Sequence, residues 1–418
     1  MKDWKEVKLS DVATLSTGFP FEGEKYTSEG IRVVRGDNIT IGKLRWPKEK
    51  DKRWAESFSR ADEFSLKVGD IVVGMDGSRV GYNRAQIKLV DLPLLIAQRV
   101  ACIRSKENCL QSFLYYQIFS DSFVRYVRKI QTGSTIPHVS LRQIGDFTIQ
   151  IPSIEVQAKI ASILSSLDSK IECNRKICAN LEAQAQALFK HWFVDFAPFK
   201  DGKFVESELG LIPEGMIYKR IEDIPHTLET GKRPAGGVKG IEHGIPSIGA
   251  ENIKGLGCYD FSKTKYVTKD YASSMRKGII KGYELLIYKD GGKPGYFIPN
   301  FAIFGEGYPY DEMCLNEHVF RLDFDNKGYS LFAYFYFKTK QIMSYLNAQG
   351  AKATIPGINS GDIESILIPS LENECVKQYC QNFECIITKI LVLSKESSRL
   401  AALRDTLLPK LMSNQISL

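Results

Sequence analysis

The chain contains no Pro-Pro dipeptide, so it lacks the Asn or Asp followed by Pro-Pro and an aromatic that a DNA amino-methyltransferase needs. It has no G-x-x-x-x-G-K-[ST] phosphate cradle and no G-x-G-x-x-G opening a helix, which removes P-loop nucleotide hydrolysis and dinucleotide chemistry. Histidine is scarce: His138, His191, His226, His243 and His318 are scattered, and none stands in HExxH. Asp323-Phe324-Asp325-Asn326-Lys327 reads as a polar turn after a strand rather than as a nuclease carboxylate–lysine cluster. Nine cysteines occur without a CxxC, and Cys173, Cys178, Cys375, Cys380 and Cys385 fall at five-residue intervals. That is not a zinc-ligand spacing, and it suits small buried thiols of a reducing compartment. No apolar run is long enough to span a bilayer and no signal-peptide core opens the chain, so the expected location is the cytoplasm. Strong charge is missing too. The net +7 lies almost wholly in residues 1–154, with 24 Lys and Arg against 18 Asp and Glu, while residues 196–370 balance 21 against 21. A protein that grips DNA alone carries a stronger basic footprint, so a nucleic-acid role calls for local basic loops or basic partner subunits.

What is present starts with one stretch, residues 152–196. Ile160, Leu164, Leu167, Ile171, Asn174, Cys178, Leu181, Ala185, Leu188 and Trp192 follow an alternating four-three spacing, a heptad seam with one polar position. No Pro or Gly interrupts it, and Ala, Gln, Glu, Lys and Leu fill the remaining positions. At 1.5 Å per residue the helix would run roughly 57 Å from Glu155 to Trp192. Such a helix needs a partner to bury its seam. The same pattern returns 219 residues later as Tyr379, Phe383, Ile386, Ile390, Leu393, Ser397, Leu400, Arg404, Leu407 and Leu411. Two like seams separated by a domain-sized insert most simply pair as an antiparallel coiled coil within the chain.

The rest of the sequence also occurs twice. Gly30-Ile31-Arg32-Val33-Val34-Arg35-Gly36-Asp37-Asn38-Ile39 aligns with Gly244-Ile245-Pro246-Ser247-Ile248-Gly249-Ala250-Glu251-Asn252-Ile253. At the same offset, Ile71-Val72-Val73-Gly74-Met75-Asp76-Gly77 aligns with Leu285-Leu286-Ile287-Tyr288-Lys289-Asp290-Gly291. Arg99-Val100 aligns with His318-Val319, and Thr135-Ile136-Pro137 with Thr354-Ile355-Pro356, which leads into Ile151-Pro152 or Ile368-Pro369 before each long helix. Short β-branched runs bounded by Gly, Asp and Asn predict strands and tight turns. Residues 112–128 and 331–346 carry apolar residues at helical spacing and read as core. The expected fold is therefore α+β: a lobe over residues 1–151, a helix over 152–196, a second lobe over 197–369 and a second helix over 370–418, with a linker near Ala197-Pro198-Phe199-Lys200-Asp201-Gly202.

Thr135-Ile136-Pro137, Ile151-Pro152-Ser153, the run from Ile160 to Arg175 and the run from Leu181 to Phe196 resemble the central region of the specificity subunit of type I restriction–modification systems. The likeness extends over the whole chain as two target-recognition domains, each followed by a long helix. It implies a subunit with no catalytic site and no cofactor of its own, which places one domain on each half of a split double-stranded DNA sequence. It also implies two modification subunits, which bind S-adenosylmethionine and methylate adenine N6, and two restriction subunits; ATP and Mg belong to those partners. Two rivals remain on the residues alone: a stand-alone methyltransferase or nuclease, which the missing motifs oppose, and a coiled-coil scaffold whose lobes bind proteins.

Phosphates are met by Lys, Arg, Ser, Thr and Asn, and base edges by Arg, Lys, Asn and Gln. The loops that recur in both lobes offer Arg35, Asn38, Arg79, Asn83 and Thr135 in the first and Asn252, Lys254, Lys289, Lys293 and Thr354 in the second. These are the expected DNA contacts.

Overall fold

The computed structural model describes residues 4–56, 61–133, 136–291, 295–352 and 355–416. Two helices, Ile154–Phe193 and Glu374–Met412, dominate it. The first starts where Pro152 and Ser153 leave the preceding strand; the Ser153 carbonyl accepts the Gln157 amide at 2.9 Å. It stops where Phe196 adopts a left-handed φ of 48°. Pro409 stands in the last turns of the second helix, near enough to its end for the helix to run on to Met412.

The chain divides into two compact units, Met1–Ser169 with Ala401–Leu418, and Lys170–Leu400. Each long helix thus gives residues to both units. The cause is visible in the cores. In the first unit Ile160, Leu164, Leu411 and Met412 share a buried cluster with Phe113, Leu114, Phe123 and Val127. In the second, Ala185, Phe189, Phe193, Tyr379 and Phe383 share one with Phe332, Phe335 and Ile363.

Within the first unit, Ala13–Thr17, Val100–Ser105, Ile71–Gly74 and Arg84–Gln86 form an antiparallel four-stranded sheet in that order. A three-stranded sheet orders Arg53–Trp54, Ile31–Val34 and Leu94–Ile96, the last two parallel. Lys5–Lys8 pairs with Thr148–Ile151, just before the long helix. Ile71, Val72 and Val73 are fully buried, as a run apolar on both faces must be when both sides are covered.

The second unit contains an antiparallel sheet of Thr227–Thr230, Val319–Asp323, Leu285–Tyr288 and Phe301–Ala302. A second sheet orders Lys265–Val267, Ile245–Ile248 and Cys314–Leu315, again with the last two parallel. Tyr218–Arg220 pairs with Leu367–Pro369 before the second long helix. The helix Lys327–Phe337 is buried from Gly328 to Phe337 and packs its rings on the long helices, Phe332 lying 4.9 Å from Phe193 and 5.7 Å from Tyr379 between centroids. Asn326 caps it by accepting the Tyr329 amide at 2.9 Å, which makes the Asp323–Lys327 segment a structural turn. Beyond the expected linker lies a hairpin, Phe204–Ser207 with Gly210–Pro213.

Hydrogen bonds show how the long helices meet inside each unit. In the first, Asp168 accepts Arg404 Nη1 at 2.7 Å and Tyr116 Oη at 2.8 Å. In the second, Asn174 Nδ2 donates to Glu396 at 2.8 Å and Tyr379 Oη to the Ala185 carbonyl at 3.2 Å. In the second unit rising numbers on one helix meet falling numbers on the other, so the two segments run antiparallel there. Of the expected seam, Ile160, Leu164, Ile171, Phe383 and Ile390 are buried; Leu167, Leu181, Leu188, Ile386, Leu400 and Leu407 are half-buried. The strict spacing misplaces the seam near the second lobe. Phe189 and Phe193 are buried more deeply than Leu188 and Trp192, and Ile387 more deeply than Ile386. A helix of 3.6 residues per turn drifts from a 3.5-residue repeat by ~20° per heptad, and here the aromatic core of the lobe takes up the face so exposed.

One close approach recurs in the two units. A Cβ on Gly18 would lie 1.8 Å from the Ile96 carbonyl oxygen, and one on Gly231 would lie 1.6 Å from that of Leu315. Backbone meets backbone at both places, so no side chain can yield. Gly18→Ala or Gly231→Ala is expected to cost about 3 kcal/mol or more in denaturant unfolding. Gly23→Ala, with nothing within 4 Å of the added carbon, should leave the midpoint almost unmoved.

Among the described residues, no helix is long and apolar enough to cross a membrane.

Candidate nucleic-acid interface

In the first unit three sequence-distant segments fasten to one another at the end of the strand Ile71–Gly74. The Gly74 amide donates to the Asn83 carbonyl at 2.9 Å and the Met75 amide to that of Arg99 at 3.1 Å. The Val139 amide donates to the Met75 carbonyl at 2.9 Å, and the Gly77 amide to that of Pro137 at 2.9 Å. The glycine-bearing loop is therefore held by Pro137 and Val139 on one side and by Arg99, just before Val100–Ser105, on the other. Around it stand basic side chains. Arg35 lies over the Tyr26 ring at 5.8 Å and 3.8 Å from Asp37. Arg99 lies 3.5 Å from Asp76, and Arg128 donates to the Tyr82 hydroxyl at 3.0 Å. Arg79 is exposed on a tight turn whose carbonyl accepts the Tyr82 and Asn83 amides at 3.0 and 3.1 Å. Burial pushes the Tyr26 phenol up, against the lowering effect of the nearby Arg35, so the ring under Arg35 stays neutral.

The second unit has the same fastenings. The Lys289 amide donates to the His318 carbonyl at 3.0 Å, the Ile358 amide to that of Lys289 at 2.8 Å, and the Gly291 amide to that of Pro356 at 2.9 Å. Its side chains are of mixed sign. His318 Nδ1 hydrogen-bonds Asp290, and His318 Nε2 lies 3.3 Å from Glu317. Arg233 is 3.4 Å from Glu317 and Lys265 2.6 Å from Glu251. Burial is the largest single influence on the Glu251 carboxyl and works to raise it, but the Lys265 hydrogen bond and charge, a backbone hydrogen bond and the charge of His318 together leave the group below its usual range. This edge is less basic than the first unit's, which agrees with the charge counts of the two lobes.

The expected contacts fall into three groups. Arg35, Arg79 and Asn83 come together in the first unit around the glycine-bearing loop, and Lys254 is exposed in the second. Lys289 turns inward: its ammonium donates to the Glu317 carbonyl at 3.3 Å and lies 5.4 Å from the Phe320 ring centre. Asn38 and Asn252 are fully buried. Asn38 accepts the Arg35 amide at 3.0 Å and donates to the Arg45 and Lys50 carbonyls at 3.3 and 3.0 Å; Asn252 accepts the Gly249 amide at 2.9 Å. Both side chains hold the turn after a central strand instead of facing outward. Thr135, Lys293 and Thr354 lie outside the described residues. Arg99 and His318 were not among the expected contacts, although their alignment in the repeat was the available signal. Among the described residues no group of three or more His, Cys, Asp or Glu side chains could hold a metal ion.

Residues 1–183 match the type I restriction modification DNA specificity domain. Across 434 aligned residues, 99% of this chain and 94% of the relative, the chain is 26% identical to the specificity subunit of the type I restriction enzyme MjaIX of Methanocaldococcus jannaschii. Over its whole length the chain is thus similar to type I restriction enzyme specificity subunits. It is 24% identical to the HindI specificity subunit of Haemophilus influenzae, over the full length of both chains. The crystal structure of the type I system S subunit from M. genitalium shares the fold, with a TM-score of 0.58 over 98% of this chain and 96% of that one, at 18% identity.

Proposed function

We propose that the chain reads a bipartite double-stranded DNA target, one half-site for each lobe, and that the long helices act between the lobes as an antiparallel coiled coil. In this reading the lobes are pseudo-repeats. Two modification subunits bring S-adenosylmethionine, two restriction subunits bring the ATP- and Mg-dependent nuclease, and this chain needs no cofactor. The observation that carries the reading is the duplicated edge. The same three backbone hydrogen bonds join the glycine-bearing loop to its neighbours in each unit: Met75 to Arg99, Val139 to Met75 and Gly77 to Pro137 in one, and Lys289 to His318, Ile358 to Lys289 and Gly291 to Pro356 in the other. A duplicated scaffold with differing side chains is what two readers of different base sequences require. Side chains on loops held by a rigid frame can vary while the frame stays fixed. Adenine methylation by the assembled complex then reports which sequences have been read.

Exchange of one reader tests the proposal. Because Leu411 and Met412 lie in the first unit's core, the exchange should take residues 1–169 together with 401–418 from another family member. Sequencing of methylated adenines is expected to show one half-site replaced and the other unchanged. A motif altered in both halves would mean that the lobes do not read independently. DNA methylation with no sequence preference would favour lobes that bind proteins.

A further inference from the structure

We propose that Arg99 and His318 are base-reading side chains, each preset by a carboxylate on the glycine-bearing loop of its own unit; this rests on the DNA-reading function proposed above. Each residue sits where backbone segments distant in sequence are tied together. Its carbonyl accepts the amide of Met75 or Lys289, the residue whose own carbonyl accepts the amide of Val139 or Ile358, two residues past Pro137 or Pro356. Backbone this constrained carries a side chain that is open to solvent, 67% exposed for Arg99 and 40% for His318. Each side chain is met by the acidic residue that follows Met75 or Lys289: Asp76 at 3.5 Å from Arg99 Nε, and Asp290 hydrogen-bonded to His318 Nδ1. An ion pair this exposed adds little to stability. Its use is orientation, since a reading side chain fixed by a supporting carboxylate loses less freedom on binding than a loose one.

The two side chains impose different chemistry. Arg99 approached at Nε keeps both terminal amino groups for an acceptor pair, and guanine presents such a pair, O6 and N7, in the major groove. His318 offers one ring nitrogen, Nε2, which it shares with Glu317 at 3.3 Å. The first lobe is thereby assigned a guanine requirement at one position, and the second a weaker single-bond preference.

The test uses the full chain in complex with its modification subunit, with methylated-adenine mapping and competition binding on half-site variants. Arg99→Gln is expected to relax one guanine position in one half-site, with a loss of preference of about tenfold to a hundredfold, and to leave the gap and the other half-site intact. Asp76→Asn should relax the same position less. His318→Gln should act on the opposite half-site alone. An unchanged motif in Arg99→Gln, a loss of affinity equal on all sequences with a shallower salt dependence, or a chain that no longer folds would each overturn the assignment. The same variant showing its altered position in a motif without two separated halves would instead contradict the bipartite reading and leave the side-chain assignment standing.

Discussion

Seven residues inserted after Ser169 together with seven after Leu400 are expected to widen the gap between the two half-sites by about three base pairs. Seven helical residues add about 10 Å, and duplex DNA rises 3.4 Å per base pair. Both cuts fall at the division between the compact units, so the contacts inside each unit stay as they are. Asp168 keeps Arg404 and Tyr116 on one side, and Asn174 keeps Glu396 on the other. A heptad holds the seam in phase to within ~20°. Insertion into one helix only, for example after Leu181, should instead abolish activity. Glu182 accepts the Tyr334 hydroxyl at 2.9 Å and Lys338 at 3.0 Å, and Ala185, Phe189 and Phe193 belong to the second core, so a one-sided shift tears that unit apart. Methylated-adenine mapping decides the matter: an active doubly inserted complex with the original gap would end the idea that the helices set the spacing.

Arg321→Met is expected to destabilise the second unit by about 3–5 kcal/mol. The guanidinium is almost fully buried and meets Glu284 at 3.0 Å, Glu229 at 3.1 Å and Asp323 at 2.6 Å. Glu284 is itself 2% exposed, and only the Lys281 and Gly282 amides, at 2.7 and 2.6 Å, would remain to it. A buried carboxylate stripped of its cation is costly, and Glu284→Gln in the same chain should recover part of the loss because it removes the unpaired charge, although its single amide oxygen can accept only one of those two bonds. Urea unfolding of the single and double variants measures both effects; a single variant as stable as the parent would show that the charge cluster is unimportant to the fold.

The first long helix was readable because its signal is local: no Pro or Gly from Ile154 to Phe193, and a seam apolar at every position but Asn174. The second repeats that spacing, with Ser397 and Arg404 in the seam and Pro409 near its end. The packing of Phe189 and Phe193 was not readable from a fixed heptad, since it depends on Phe332 and Tyr379 arriving from elsewhere in the chain. Asn38 and Asn252 look like surface readers in a one-dimensional sequence, being polar residues in Gly-bearing turns. Their three-residue distance from Arg35 and Gly249 held the other clue, a side chain folding back on its own turn. Arg99 and Asp76 lie far enough apart in sequence that no local pattern joins them, so only the folded sheet brings them together.

The most direct measurement is the map of methylated adenines made by the complex of this chain with a modification subunit, in a host that otherwise leaves those adenines bare. Two short defined sequences separated by a fixed number of arbitrary bases, present only when this chain is present, are the predicted result. A single continuous motif, or the same motif when this chain is left out, would contradict the account.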